Sequence, residues 1–300
     1  MKRREFLGVM AGATMGLPGF VAGESVSAEA RSQVVVVRRA SPEVMFQRGI
    51  AALGGMTAFV KPGQKVVVKP NIAWDRPPAF AANTNPDLVA EIVRQCLAAG
   101  AAEVKVFDHT CNAWERCYES SGVAAAVKAA GGVMVEAHRE SDYREVSRPA
   151  AVRMKTALIH HAIVEADVFI NVPILKHHGG AKMTAGLKNF MGLVWDRQFM
   201  HRNNLAQCIA DAALYRKPDL TVVDAYRTMQ TNGPRGVALA DVHNTRYQLL
   251  SRDIVAVDAL ATKLLRLPLS AVPYIELAAA HGLGVADEAR IEVIRLEGLA

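Results

Sequence analysis

Gln64-Lys65-Val66-Val67-Val68-Lys69-Pro70-Asn71 is the stretch from which the fold of this chain is read. Three consecutive valines between lysines do not alternate with polar residues. A strand of this kind is covered on both faces, as in a parallel sheet with helices on either side. Pro70 has no amide hydrogen and Asn71 favours turns, so the strand ends there in a polar turn. Downstream, Asn85-Pro86-Asp87 has the form of a helix start. The asparagine can accept from the first turn, the proline fits the first helical position, and the acid suits the positive end of the helix. The pattern predicts a helix over residues 86–99.

Working outward, further strands are predicted at residues 33–38, 103–108, 132–136, 167–172, 219–224 and 290–296. Helices are predicted at 42–53, 114–130, 160–166, 184–194, 203–216, 253–265 and 271–281. Residues 141–155 are less regular, and the polar part of that stretch is the best candidate for a lobe boundary. Aliphatic strands alternating with helices give an α/β fold: a mostly parallel sheet with helices on both faces, in three layers.

The chain starts Lys2-Arg3-Arg4-Glu5-Phe6-Leu7, and residues 8–21 are apolar but rich in glycine and alanine. This stretch is short and weakly hydrophobic for a membrane span. Paired arginines before it read as a twin-arginine export signal, an address and not an anchor. Residues 1–28 are the expected signal peptide and residues 29–300 a single α/β domain, with cleavage after Ala28 or Ala30. The expected location is the periplasm or another exported compartment, with the twin-arginine translocase as the partner during export. No stable membrane span is expected after cleavage.

Hydrophobic residues make up 51% of the chain and the net charge is +6. The positive charges are dispersed, which disfavours nucleic acid and favours an anionic small molecule or a metal as ligand. The four cysteines, Cys96, Cys111, Cys117 and Cys208, show no C-x-x-C spacing, so no iron–sulfur or four-cysteine zinc motif is present. Cys96 and Cys208 lie in apolar helical patterns and read as core thiols. Cys111 and Cys117 could pair in an oxidising compartment.

Ligands of open α/β sheets bind beyond the carboxyl ends of the strands. Four predicted strands end in polar residues: Lys69-Pro70-Asn71, Asp108-His109-Thr110-Cys111-Asn112, Asn171-Val172-Pro173, and Asp224-Ala225-Tyr226. The third leads into Lys176-His177-His178-Gly179-Gly180, followed by Thr184 and by Lys188-Asn189. Lysines beside a helix start suit phosphate or carboxylate, and histidines on a loop suit a metal or proton transfer. Lys176 and His178 are the candidate catalytic groups. Lys69, Asn71, Thr184, Lys188 and Asn189 are the candidate cofactor- or substrate-holding groups. His178, His177, His109 and Asp108 are the candidate metal ligands, with a metal ion as the leading cofactor. His160-His161 reads as a surface pair, and His138, His201, His243 and His281 read as structural. The chain contains no G-x-S-x-G elbow, no P-loop ending in Gly-Lys-Ser/Thr and no G-x-G-x-x-G after the first strand.

At these residues the chain resembles the bacterial and archaeal family called domain of unknown function 362. The resemblance lies in Val67-Val68-Lys69-Pro70-Asn71, Thr84-Asn85-Pro86, Lys176-x-His178 and Thr184-x-x-x-Lys188-Asn189-x-x-Gly192. Asn232-Gly233-Pro234-Arg235-Gly236 and Gly282-Leu283-Gly284 also fit, so the likeness runs over residues 34–297. It implies an exported protein, since members often carry twin-arginine signals. Some members carry a ferredoxin module, whose cysteines are absent here. The layout also resembles lactate-racemase-type proteins, without a reaction that transfers. Three functions follow as expectations. One is a metal- or cofactor-dependent enzyme acting on an anionic small molecule by redox or proton-transfer chemistry, with an electron-transfer protein as a partner in the redox case. The others are a non-catalytic metal- or anion-binding protein and an accessory component of a redox assembly.

Overall fold

The computed structural model describes residues 31–298; the predicted signal peptide lies outside the described residues. The first half of the chain forms β1 (Ser32–Arg38), α1 (Pro42–Ala52), β2 (Lys65–Pro70), α2 (Pro86–Ala98), β3 (Glu103–Val106), α3 (Trp114–Ser120), α4 (Val123–Ala129) and β4 (Val133–Met134). Next come β5 (Tyr143–Ser147), β6 (Thr156–His160), α5 (His161–Glu165), β7 (Val168–Val172), β8 (Ile174–His178), β9 (Lys182–Thr184), α6 (Gly186–Asn189) and α7 (Arg197–Arg202). The chain ends with α8 (Leu205–Ala212), β10 (Leu220–Met229), β11 (Val242–His243), β12 (Tyr247–Ser251), α9 (Ile254–Ala261), α10 (Pro273–Ala280) and β13 (Ile291–Glu297).

One sheet runs in the order β13-β1-β12-β10-β7-β2-β3-β4, with β8, β9 and β11 attached at β10. Its centre is parallel, since β2 pairs with β3 and β7, and β7 with β10, all in the same sense. β12 is antiparallel to both of its neighbours, so the sheet is mostly parallel. The valine run behaves as its composition requires: Val66 and Val68 enter one core and Val67 the other. One core packs against α1 to α4 and the other against α6 and α8 to α10, which makes the three layers.

Asn85 caps α2, accepting from Asp87 N at 2.9 Å. The helix predicted over 114–130 is two helices, because Gly122 between them adopts φ +74°, which a residue with a side chain avoids. Residues 141–155 are not wholly irregular: β5 from this stretch pairs with β6 as a separate two-stranded sheet. His160 is not on the surface. It is fully buried and caps α5, accepting from Ala162 N at 3.2 Å.

Two further corrections shape the site. His177 and His178 lie in β8, not in a loop, and β8 forms a hairpin with β9 in which Lys176 faces Thr184. The helix predicted over 184–194 is only the four-residue α6 followed by a 3-10 turn. Its first amides, of Gly186 and Leu187, donate to the buried Asp258 carboxylate on α9 at 2.7 and 2.9 Å. Burial raises the Asp258 carboxyl to about 7. The folded protein therefore holds this proton more tightly than the unfolded chain does, and its contribution to stability fades as pH rises from the ordinary carboxylate range to about 7. Asp258→Ala is expected to cost about 2–5 kcal/mol, because it orphans two buried amides. It should also remove that pH dependence; chemical denaturation of both proteins at acid and neutral pH checks it.

Candidate functional site

The carboxyl ends of β2 and β7 lie side by side, with Lys69 opposite Asn171. Asn189, at the end of α6, ties them together. Its oxygen accepts from Lys69 Nζ at 2.9 Å and from Asn71 Nδ2 at 3.2 Å. Its amide donates to Lys69 O at 3.1 Å and Asn171 Oδ1 at 2.8 Å. Every polar valence of the side chain is used, so Asn189 is a fixed strut. Lys69 Nζ also lies 2.7 Å from Asp108 Oδ1 in a fully buried ion pair, and Asp108 Oδ2 accepts from Ile72 N at 2.7 Å. Gly192 backs onto this pair: a Cβ there would stand 1.9 Å from Asp108 Oδ1 and 2.7 Å from Lys69 Nζ.

Above this floor is a cavity of 430 Å³, reached by Asn71, Asp108, His109, Lys176, His178, Thr184, Lys188 and Asn189. Eight of the predicted site residues thus line one crevice. Lys69 does not line it; its ammonium is spent on Asp108 and Asn189 below the floor. His177 does not line it either. Neighbouring residues of a strand face opposite ways, and the His177 ring accepts from Gly233 N at 3.1 Å.

The proposed metal set of His178, His177, His109 and Asp108 is therefore corrected. Among the described residues, no group of three or more His, Cys, Asp or Glu side chains is placed to hold a metal ion. Asp108 is neutralised by Lys69, and His178 Nδ1 already accepts from Gly180 N and Ala181 N, both at 3.1 Å. The remaining charges in the walls are Lys176, Lys188 and Arg197, which repel a cation.

Lys176 Nζ donates to Asn71 Oδ1 at 3.0 Å and to Ala82 O. Burial lowers its amine from the ordinary 10.5 to about 7. Burial likewise lowers Lys188 to about 8, with Arg197 and Lys69 adding repulsion. Among the described residues the Lys188 ammonium meets the Met191 thioether, at 3.2 Å, a weak acceptor. Burial holds His178 near 3, and burial with Arg197 holds His109 near 4, so both rings are neutral at physiological pH. His109 Nδ1 donates to Val194 O at 3.0 Å, which leaves Nε2 as an acceptor. His178, whose Nδ1 accepts, carries its proton on Nε2. Thr184 Oγ1 is buried in the wall and has no hydrogen-bond partner among the described residues.

Sequence reasoning missed Arg197, His201 and Cys111, which also line the cavity. Arg197 donates to His109 O at 2.9 Å, Thr110 O at 2.6 Å and Cys111 Sγ at 3.3 Å. The signal was present in Trp195-Asp196-Arg197-Gln198, a polar and aromatic break after an apolar run. The four cysteines are free thiols, Cys111 exposed and the others buried. Asp224 is not at the cavity: β10 continues five residues past it, and its buried carboxylate accepts from Asn85 N at 2.8 Å and Tyr226 N at 3.1 Å.

The family described as domain of unknown function 362 matches residues 66–263. The chain belongs to that family. Its motif residues have now acquired places: Lys69 and Asn189 build the floor, Lys176 and His178 the wall, and Gly192 the close contact beneath them. Thr84 receives Asn71 N and donates to Val172 O, both at 2.8 Å, locking the turn after β2 to the end of β7. A relative, the thylakoid-associated protein sll1697 of Synechocystis, is 28% identical over 241 residues, covering 78% of this chain and 72% of its own length. Among solved structures, the lactate racemase apoprotein from Thermoanaerobacterium thermosaccharolyticum matches with a TM-score of 0.47 and 14% identity. That match covers 78% of this chain, which spans 57% of the racemase chain. A protein from Thermotoga maritima matches with a TM-score of 0.46 and 13% identity, over 79% of this chain and 59% of its own.

Proposed function

We propose that the cavity binds a small anion, a carboxylate or phosphate, and that the Lys176 amine transfers a proton to or from the bound molecule. The observation that carries this is the imbalance of charge. Lys176, Lys188 and Arg197 face one cavity whose single lining carboxylate, Asp108, is already paired from below. Ammonium groups withdrawn from water cost several kcal/mol each unless a counter-charge compensates them, and an anion in the cavity supplies it. The unpartnered Thr184 hydroxyl and the His178 Nε2–H add neutral donors of the kind an anionic oxygen accepts.

An amine that titrates near 7 suits acid–base work, because both protonation states are populated at physiological pH. Isothermal calorimetry with inorganic phosphate and short carboxylates, below and above neutral pH, tests the binding. Affinity is expected to fall as pH rises through about 7, since the cationic form of Lys176 is the one that attracts the anion. Solvent deuterium exchange into the bound acids, followed by NMR, separates the enzyme from a protein that only sequesters the anion. Failure of every anion to bind at any pH would overturn both.

We further propose that the protein works outside the cytoplasm, supported by Arg3-Arg4 ahead of the weakly apolar stretch. The twin-arginine receptor reads the guanidinium pair and not charge alone. Replacing both arginines with lysine is expected to leave precursor in the cytoplasm. Fractionation of cells expressing either form checks this, and export in cells lacking the twin-arginine translocase would refute it.

A further inference from the structure

We infer that the ligand carries anionic groups at both ends, the second held by an arginine cluster next to the lysine chamber; this rests on the anion-binding reading above. Beside the main cavity lies a second one of 350 Å³, lined by Asp75, Arg76, Asn112, Ala113, Arg116 and Arg235. Their walls come from the same three loops. Trp74, Cys111 and Pro234 line the first, and the next residue after each, Asp75, Asn112 and Arg235, lines the second. One trough therefore runs over the same three loops from the lysines to the arginines.

The trough is braced. Cys111 N donates to Ala73 O at 2.8 Å and Asp75 N to Asn112 Oδ1 at 3.2 Å, lacing two of the loops together. The Asn83 amide donates to Trp74 O at 2.8 Å and Arg76 O at 3.1 Å, which fixes the turn that carries the first arginine. Asp75 pairs with Arg116, so three guanidiniums face one carboxylate and the second cavity keeps a net positive charge. Arg76 Nε is buried without a hydrogen-bond partner among the described residues, while its guanidinium lies 5.0 Å from the centre of the Phe80 ring. Planar guanidiniums select carboxylate or phosphate by paired hydrogen bonds. A single small anion would satisfy the lysine chamber and leave this cluster idle; a linear molecule with two anionic heads uses both.

Calorimetry with linear dicarboxylates of increasing length, and with the corresponding bisphosphonates, tests this, each compound measured against the single-headed compound of the same length. In one of the two series, at one length, the double-headed compound is expected to bind the native protein about tenfold or more tightly than its single-headed counterpart. In the double variant Arg76→Gln/Arg235→Gln that ratio should fall to about one. Arg235 is exposed, so Arg235→Gln alone, with a partial fall in the ratio, guards against a folding artefact. Single-headed compounds that bind as tightly as double-headed ones at every length would overturn the inference and leave the lysine chamber standing. An unchanged ratio in the double variant would also overturn it. If no compound of either kind binds, the chamber reading fails and the inference with it.

Discussion

Gly192→Ala is expected to unfold the site and cost the protein about 3–5 kcal/mol, the penalty for breaking a buried ion pair. The added methyl would stand 1.9 Å from Asp108 Oδ1 and 2.7 Å from Lys69 Nζ, closer than nonbonded atoms approach. Neither partner can yield cheaply. Asp108 is held by Ile72 N, Lys69 by Asn189 and Pro70 O, and both side chains are fully buried. Displacing either group leaves a charge without its partner away from water. The backbone at Gly192 also carries the site, since its carbonyl accepts from His109 N at 3.2 Å. Urea denaturation of native protein and variant measures the loss. A double-mutant cycle with Asp108→Ala identifies its cause: with the carboxylate gone the 1.9 Å clash disappears and Lys69, released from its ion partner, can move off the 2.7 Å contact, so Gly192→Ala should cost much less. Equal costs in the two backgrounds would show that the ion pair is not what the glycine protects.

Lys176→Gln is expected to weaken anion binding by about 10–100-fold, the loss of one charge-assisted hydrogen bond. Glutamine can still donate to Asn71 Oδ1 or Ala82 O, the two partners of the native amine, so the wall should keep its shape. Stability should move in the opposite sense to affinity. The native amine holds its proton only below about 7, whereas in the unfolded chain it does so up to the ordinary 10.5. Between those values the unfolded state binds the extra proton, so the ligand-free native protein gains stability as pH rises from about 7 to 10.5. The variant, which has no such proton, should lose that slope and be the more stable of the two near and below neutral pH. Thermal melts across this range, with and without phosphate, report both effects. A variant that binds anions as the native protein does would place the essential charge elsewhere, on Lys188 or Arg197.

Much of the fold was legible because burial leaves a plain mark on a strand. Val66-Val67-Val68 read as a strand covered on both faces and Asn85-Pro86-Asp87 as a helix start, since both patterns follow from local backbone chemistry. The site was legible in outline for a related reason. Lys69, Asp108 and Asn171 end or follow aliphatic strands, and parallel strands bring their carboxyl ends to one edge. What each residue does there was decided by packing. Lys69 and Asp108 both looked like ligand groups, and only their 2.7 Å approach shows that they spend their charges on each other. Lys176-His177-His178 has no apolar alternation, so its strand was hidden until the pairing with β9 and β10 set its register. That register turned His177 out of the cavity and His178 into it, which removed the metal site and left a cationic one. Arg197 and His201 come from α7, a helix too short to announce itself, which follows the break after Leu193 and lines the cavity. Composition and local pattern therefore determined the layers and the edge at which chemistry gathers. Which charges are cancelled there and which remain for a ligand depends on distances between residues remote in sequence, and those exist only in the folded chain.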